Sequence, residues 1–125
     1  MKKTYAVIIA LCIAPPLVLA GTAFAKGSSA PKLKGVVGPG FTISLKKGGK
    51  KVKQLKAGRY TFVITDRSSI HDFTLEQEKG GTFEKHLTKV PQTGTVTKTI
   101  TLKKGKWKYY CSAHEDEMFG FFKVT

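Results

Sequence analysis

Acids are scarce in this chain, and cysteine is nearly absent. Eight Asp and Glu stand against 22 Lys and Arg, a formal net charge of +14 at neutral pH. Only two cysteines occur, Cys12 and Cys111, and Cys12 lies in an apolar N-terminal run. Small exported domains often staple a modest core with paired cysteines, so a framework of disulfides is excluded here. Beyond residue 25 no apolar stretch is long enough to span a bilayer, which excludes an integral membrane segment in the remainder of the chain. No sustained 3.6-residue periodicity appears, so a helical bundle is excluded too. No nucleic-acid-binding motif accompanies the positive charge, and nucleic acid is not an expected partner.

The N-terminus explains part of this. Lys2 and Lys3 precede an apolar run from Tyr5 to Ala20, and Ala23-Phe24-Ala25 is a small-x-small cleavage site. That is the layout of a secretory signal peptide over residues 1–25. Pro15 and Pro16 interrupt the run and argue against a permanent membrane helix, and Leu11 before Cys12 argues against a lipoprotein signal. Removing residues 1–25 leaves 20 basic residues against 8 acids, a net charge of +12. It also leaves Cys111 alone. An unpaired cysteine in an oxidising compartment is a buried inert thiol, half of an intermolecular disulfide, or a metal ligand. The expected location is exported, either periplasmic or at the cell envelope.

Residues 26–32, KGSSAPK, have the composition of a short flexible leader, followed by one domain over 33–125. There the period is two. FTISL (41–45), YTFVITD (60–66) and TVTKTITL (95–102) alternate apolar and polar positions and are rich in β-branched and aromatic residues, as half-buried strands require. Turn signals separate them: KKGGKK (46–51), KAG (56–58), EKGG (78–81), TG (93–94) and KKGK (103–106). The pattern predicts an all-β antiparallel sandwich of seven to eight strands. The longest connection, 78–92, is expected to hold a helical turn or an extended excursion.

The chemistry concentrates in YYCSAHEDEMFGFF, residues 109–122. Cys111 and His114 are spaced C-x2-H, and Met118 follows as H-x3-M. Thiolate, imidazole and thioether make a soft donor set that suits copper far better than calcium or magnesium. A trigonal plane of two His and one Cys with a weak axial Met is the arrangement of blue-copper centres, and it requires a second histidine. The chain offers His71, in SSIHDFTLE, and His86, in FEKHLTK.

These residues resemble those of the cupredoxin family, in particular small plastocyanin-like type 1 copper proteins. The resemblance runs from about Val36 to Thr125, through GFTISL, LKAGRYTFVITDRSSIHDFTL and GTVTKTITLKKGKWKYYCSAHEDEMFGFFKV. It implies a cupredoxin-like Greek-key sandwich. It also implies a single copper ion, cycling between Cu(I) and Cu(II), held by His71, Cys111, His114 and Met118, with Gly120 beginning the last strand. Two positions depart from the family pattern. Asp72 stands where relatives often carry Asn, so it accepts hydrogen bonds, with Ser112 as the expected donor, and adds negative charge that favours oxidised copper. Ala113 stands where relatives often carry Pro, which softens the loop.

Other residues have plainer readings. His86 lacks a soft neighbour and is read as a solvated loop histidine, and Trp107, Tyr109, Phe119, Phe121 and Phe122 as core and site-wall aromatics. The lysines over 46–59 and at Lys103, Lys104, Lys106 and Lys108 are read either as a solubilising surface or as steering toward an acidic redox partner or an anionic surface. Glu115, Asp116 and Glu117 form an acidic collar on the ligand loop. The resemblance implies a monomeric, non-enzymatic shuttle of single electrons between redox proteins, with the edge of His114 as the electron portal. A copper carrier using the same ligands is the alternative, and a metal-free interaction module the third class.

Overall fold

The computed structural model describes residues 29–125, together with Ala14 and Gly21. The signal-peptide reading and the first part of the leader lie outside the described residues. Ten strands follow: β1 (Lys32–Val37), β2 (Ile43–Lys47), β3 (Lys50–Lys51), β4 (Gln54–Leu55), β5 (Gly58–Asp66), β6 (Thr74–Lys79), β7 (Glu84–His86), β8 (Gly94–Leu102), β9 (Gly105–Tyr110) and β10 (Phe119–Val124). Seven have five residues or more; β3, β4 and β7 are short edge pieces.

They form two five-stranded sheets, ordered β3-β2-β1-β5-β8 and β4-β10-β9-β6-β7. The fold is the all-β sandwich that the alternation predicts. Two pairings are parallel, β1 with β5 and β10 with β4; the rest are antiparallel. Lys32, placed at the end of the leader, pairs with Thr61 as the first residue of β1. The 78–92 connection is an excursion: β6 continues to Lys79, β7 pairs back on it, and a turn closes with Gln92 N donating to Lys89 O.

Alternation decides the layers. In β5, Tyr60, Phe62, Ile64 and Asp66 point inward in strict period two. The inner faces bury Leu33, Leu45, Phe62, Ile64, Phe73, Leu75, Trp107 and Tyr109 in one cluster. Burying side chains of this size contributes roughly 1.5–3 kcal/mol each. Phe73, just before β6, stacks on Tyr109 of β9, with centroids 5.8 Å apart. Gly120 in β10 belongs to this packing, because a Cβ there would fall on the Tyr109 ring. The tight β2–β3 turn uses Gly48 and Gly49 at φ of 55° and 79°, a region that favours glycine.

Strand direction gathers four connections at one end of the sandwich: 38–42, 67–73, 87–93 and 111–118. The other end carries the β2–β3 turn and the 103–104 connection. The two poles have different chemistry.

Candidate metal centre

His71 is delivered by the 67–73 crossover, which has little regular structure but many tethers. Asp66, buried at the end of β5, accepts from Ser68 N through Oδ1 and from the Thr88 hydroxyl through Oδ2, at 3.1 and 2.6 Å. The same Thr88 Oγ1 accepts from Phe73 N at 2.8 Å. Arg67 N donates to Val37 O, and Leu87 N to Phe73 O. The segment is thereby fixed at both ends, and His71 is fully buried.

Cys111 and His114 come from the 111–118 loop, which closes on itself. His114 N donates to Cys111 O, Met118 N to His114 O, and Cys111 N to Met118 O, at 3.1, 2.9 and 2.9 Å. Cys111 and Met118 are buried, and Ser112 and Ala113 are exposed.

The geometry brings three donors together. His71 Nδ1 and His114 Nδ1 are 3.1 Å apart, and each lies 3.7 Å from Cys111 Sγ. The centre of such a triangle is roughly 2 Å from each corner, close to the bond lengths of about 2.0–2.1 Å to nitrogen and 2.3 Å to thiolate that first-row metals make. Two imidazoles and a thiolate form a soft, nitrogen-containing set, and the residues fit a transition-metal ion. Met118 is buried and its backbone bonds to both Cys111 and His114, so its thioether is carried by the ligand loop itself. The Nε2 of His71 is buried without a hydrogen-bond partner among the described residues, leaving Nδ1 as its working nitrogen.

Around the three donors is a hydrogen-bonded shell. Asp72 N points at Cys111 Sγ over 3.5 Å, a donor that steadies a thiolate. The Asp72 carboxylate accepts from Ser112 N at 2.6 Å and from Ser112 Oγ at 2.8 Å, tying the two ligand segments together. Burial pushes this carboxyl up, but the hydrogen bonds from Ser112, His86 and Thr74 outweigh it and hold it below its ordinary value of 3.8.

His86 is exposed, as the sequence reading expects, but it does not lie in a loop: it closes β7, and its Nδ1 lies 2.8 Å from Asp72 Oδ2 and 2.7 Å from Thr74 Oγ1. The β6–β7 register sets it opposite Thr74. It is not grouped with the three donors. Phe41 is a second residue that sequence reasoning missed. Its ring meets those of His71 and His114 edge-on, at 5.2 and 4.8 Å, and stays 54% exposed. The only sequence signal was a large aromatic in a Gly-Pro-Gly loop, VVGPGF. In the acidic collar, Glu115 pairs with Lys108, while Asp116 and Glu117 are exposed.

No protein-family profile matches the chain, and no curated protein sequence does. Solved structures do. A structure of the copper protein rusticyanin superposes with a TM-score of 0.56 at 15% identity, covering 75% of this chain and 76% of that one. Rusticyanin from Thiobacillus ferrooxidans gives 0.51 at 20% identity over 75% and 76%. A third, of rusticyanin variants, gives 0.52 at 21% identity over 78% and 80%. At such identities the likeness establishes a shared fold, the cupredoxin-like β-sandwich.

Proposed function

We propose that this chain is an exported type 1 copper protein that shuttles single electrons between redox partners. The triangle of His71 Nδ1, His114 Nδ1 and Cys111 Sγ carries the proposal. Its support from outside the chain is the fold shared with rusticyanin, a copper protein. In this reading His71, His114 and Cys111 would hold the copper ion through these three atoms, with Met118 as a weaker fourth donor. Bound there, copper would supply a one-electron couple.

The rest is done by the chain. The tethers through Asp66, Thr88 and Asp72 hold the donors in one arrangement, so little rearrangement accompanies a change of one charge. Asp72 N stabilises the thiolate, while the nearby carboxylate favours the more positive oxidation state. His71 is sealed from water and His114 is only half-buried, which makes the His114 edge, beside the exposed Phe41, the route for electrons. The proposed location, outside the cytoplasm, rests on the signal-like residues 1–25.

A copper carrier with the same ligands has one observation in its favour: the exposed Ser112 and Ala113 next to Cys111. Stopped-flow reduction of the copper-loaded protein, run beside metal transfer to a chelating acceptor, separates the two. Fast reversible reduction with slow metal loss is the expected outcome. Rapid transfer with sluggish reduction would establish the carrier instead.

A further inference from the structure

The end of the sandwich away from the ligand loops is rich in lysine. Lys53, Lys79, Lys104, Lys106 and Lys123 line a cavity of about 480 Å³ together with the exposed Phe121 and the buried Phe122 and Val124. A neighbouring cavity of about 490 Å³ shares Lys53 and adds Lys47, Lys50, Lys51 and Lys56. The two adjoin along the β4–β10 pairing, where Gln54 opposes Lys123 and Leu55 opposes Val124. Nine lysines thus face one end of the molecule, and no acidic side chain lines either cavity. One of the nine, Lys106, is paired with Glu78 at 3.2 Å, and the C-terminal Thr125 also lines the second cavity.

We infer that this pole docks on an anionic lipid surface. Three observations favour lipid over an acidic protein. The lysines come from β2, β3, β6, β9, β10 and the loops between strands, so they cover a whole end of the sandwich rather than a small patch. A partner that is itself a continuous charged plane matches that spread. The first cavity is partly lined by apolar side chains, with Phe121 39% exposed and Lys106 Nζ held 4.2 Å above its ring. Lysine stems over apolar side chains are what the boundary between headgroups and acyl chains accommodates. Finally, each cavity falls within the 300–1,000 Å³ or so typical of small-molecule sites, room for a lipid headgroup and more than an inorganic ion needs.

The consequence is orientation. Lys106 and Lys123 oppose each other at the start of β9 and the end of β10, while Cys111 and Met118 flank the other ends of the same strands. At about 3.4 Å per residue, the lysine rim and the ligand loop are some 17 Å apart. A molecule seated by its lysine pole holds the His114 edge away from the bilayer. Docking itself depends on neither the metal nor the function proposed above, so metal-free and copper-loaded protein should bind alike.

The test is co-sedimentation of the mature chain with phosphatidylcholine vesicles, with and without phosphatidylglycerol. Binding is expected only to the anionic vesicles, and it should weaken as salt rises. Lys53→Gln/Lys104→Gln/Lys123→Gln should lose roughly a hundredfold in partitioning, since each lysine near such a surface is worth about fivefold. Lys34→Gln/Lys89→Gln/Lys98→Gln removes the same charge from exposed positions outside both cavities and should retain most binding. Phe121→Ser should weaken the binding that survives in high salt. All substituted side chains are exposed, and unchanged thermal unfolding verifies folding. Equal losses in the two triple variants would reduce the effect to bulk charge and overturn the proposal. So would absence of vesicle binding by a protein that still binds polyglutamate, which would assign the pole to an acidic polypeptide.

Discussion

Asp72 is a buried carboxylate beside the three donors. It joins the segment of His71 to that of Cys111 through Ser112. Asp72→Asn keeps the shape and removes the charge. The reduction potential should therefore rise, by about 60 mV, a tenfold step for one electron; protein-film voltammetry reads it. The same carboxyl gives a pH signature in the metal-free protein. Its folded-state pKa is depressed below 3.8, so its contribution to stability is fully present above that value. The contribution disappears as pH falls through the lower, folded-state pKa. Urea unfolding across acidic pH should show that loss in the wild type and a flatter profile in Asp72→Asn.

At the scale of elements, the crossover 67–73 and the loop 111–118 differ in how they are held. The loop closes through its own backbone, and Cys111, His114 and Met118 fall within eight residues of one another, so their grouping stands out in the sequence. The crossover depends on partners far away in sequence. Thr88 bridges Asp66 Oδ2 and Phe73 N, and nothing local in the sequence announces that bridge. Thr88→Val would leave a buried N–H and a buried carboxylate short of a partner. A loss of about 1–3 kcal/mol is expected in urea unfolding, with a less uniform metal site by EPR. His86 was illegible for a related reason. Its role exists only because β7 pairs with β6 in the register that sets His86 against Thr74, and β7 is three residues in a polar stretch with no alternation to betray it. The long strands were legible because each buries one face in strict period two.

On the scale of the whole molecule, charge runs along the strand axis. Glu115, Asp116 and Glu117 occupy the ligand-loop pole, and the lysine cavities occupy the other. Lys108 compensates Glu115, leaving Asp116 and Glu117 open to solvent on the loop that carries His114. Replacing all three by amides should slow electron exchange with a basic partner roughly tenfold at low salt, with the difference vanishing at high salt. Equal rates at every salt concentration would make the collar an ordinary exposed turn.

The central claim is that two imidazoles and one thiolate at the pole of this sandwich form a type 1 copper site. Titration with Cu(II), followed by visible absorption and EPR, tests it most directly. One equivalent should produce an intense blue thiolate-to-copper band with a narrow hyperfine splitting. Cys111→Ser should abolish the band, and His86→Ala should preserve it. Colourless binding, or a signal indifferent to loss of Cys111, would contradict the account.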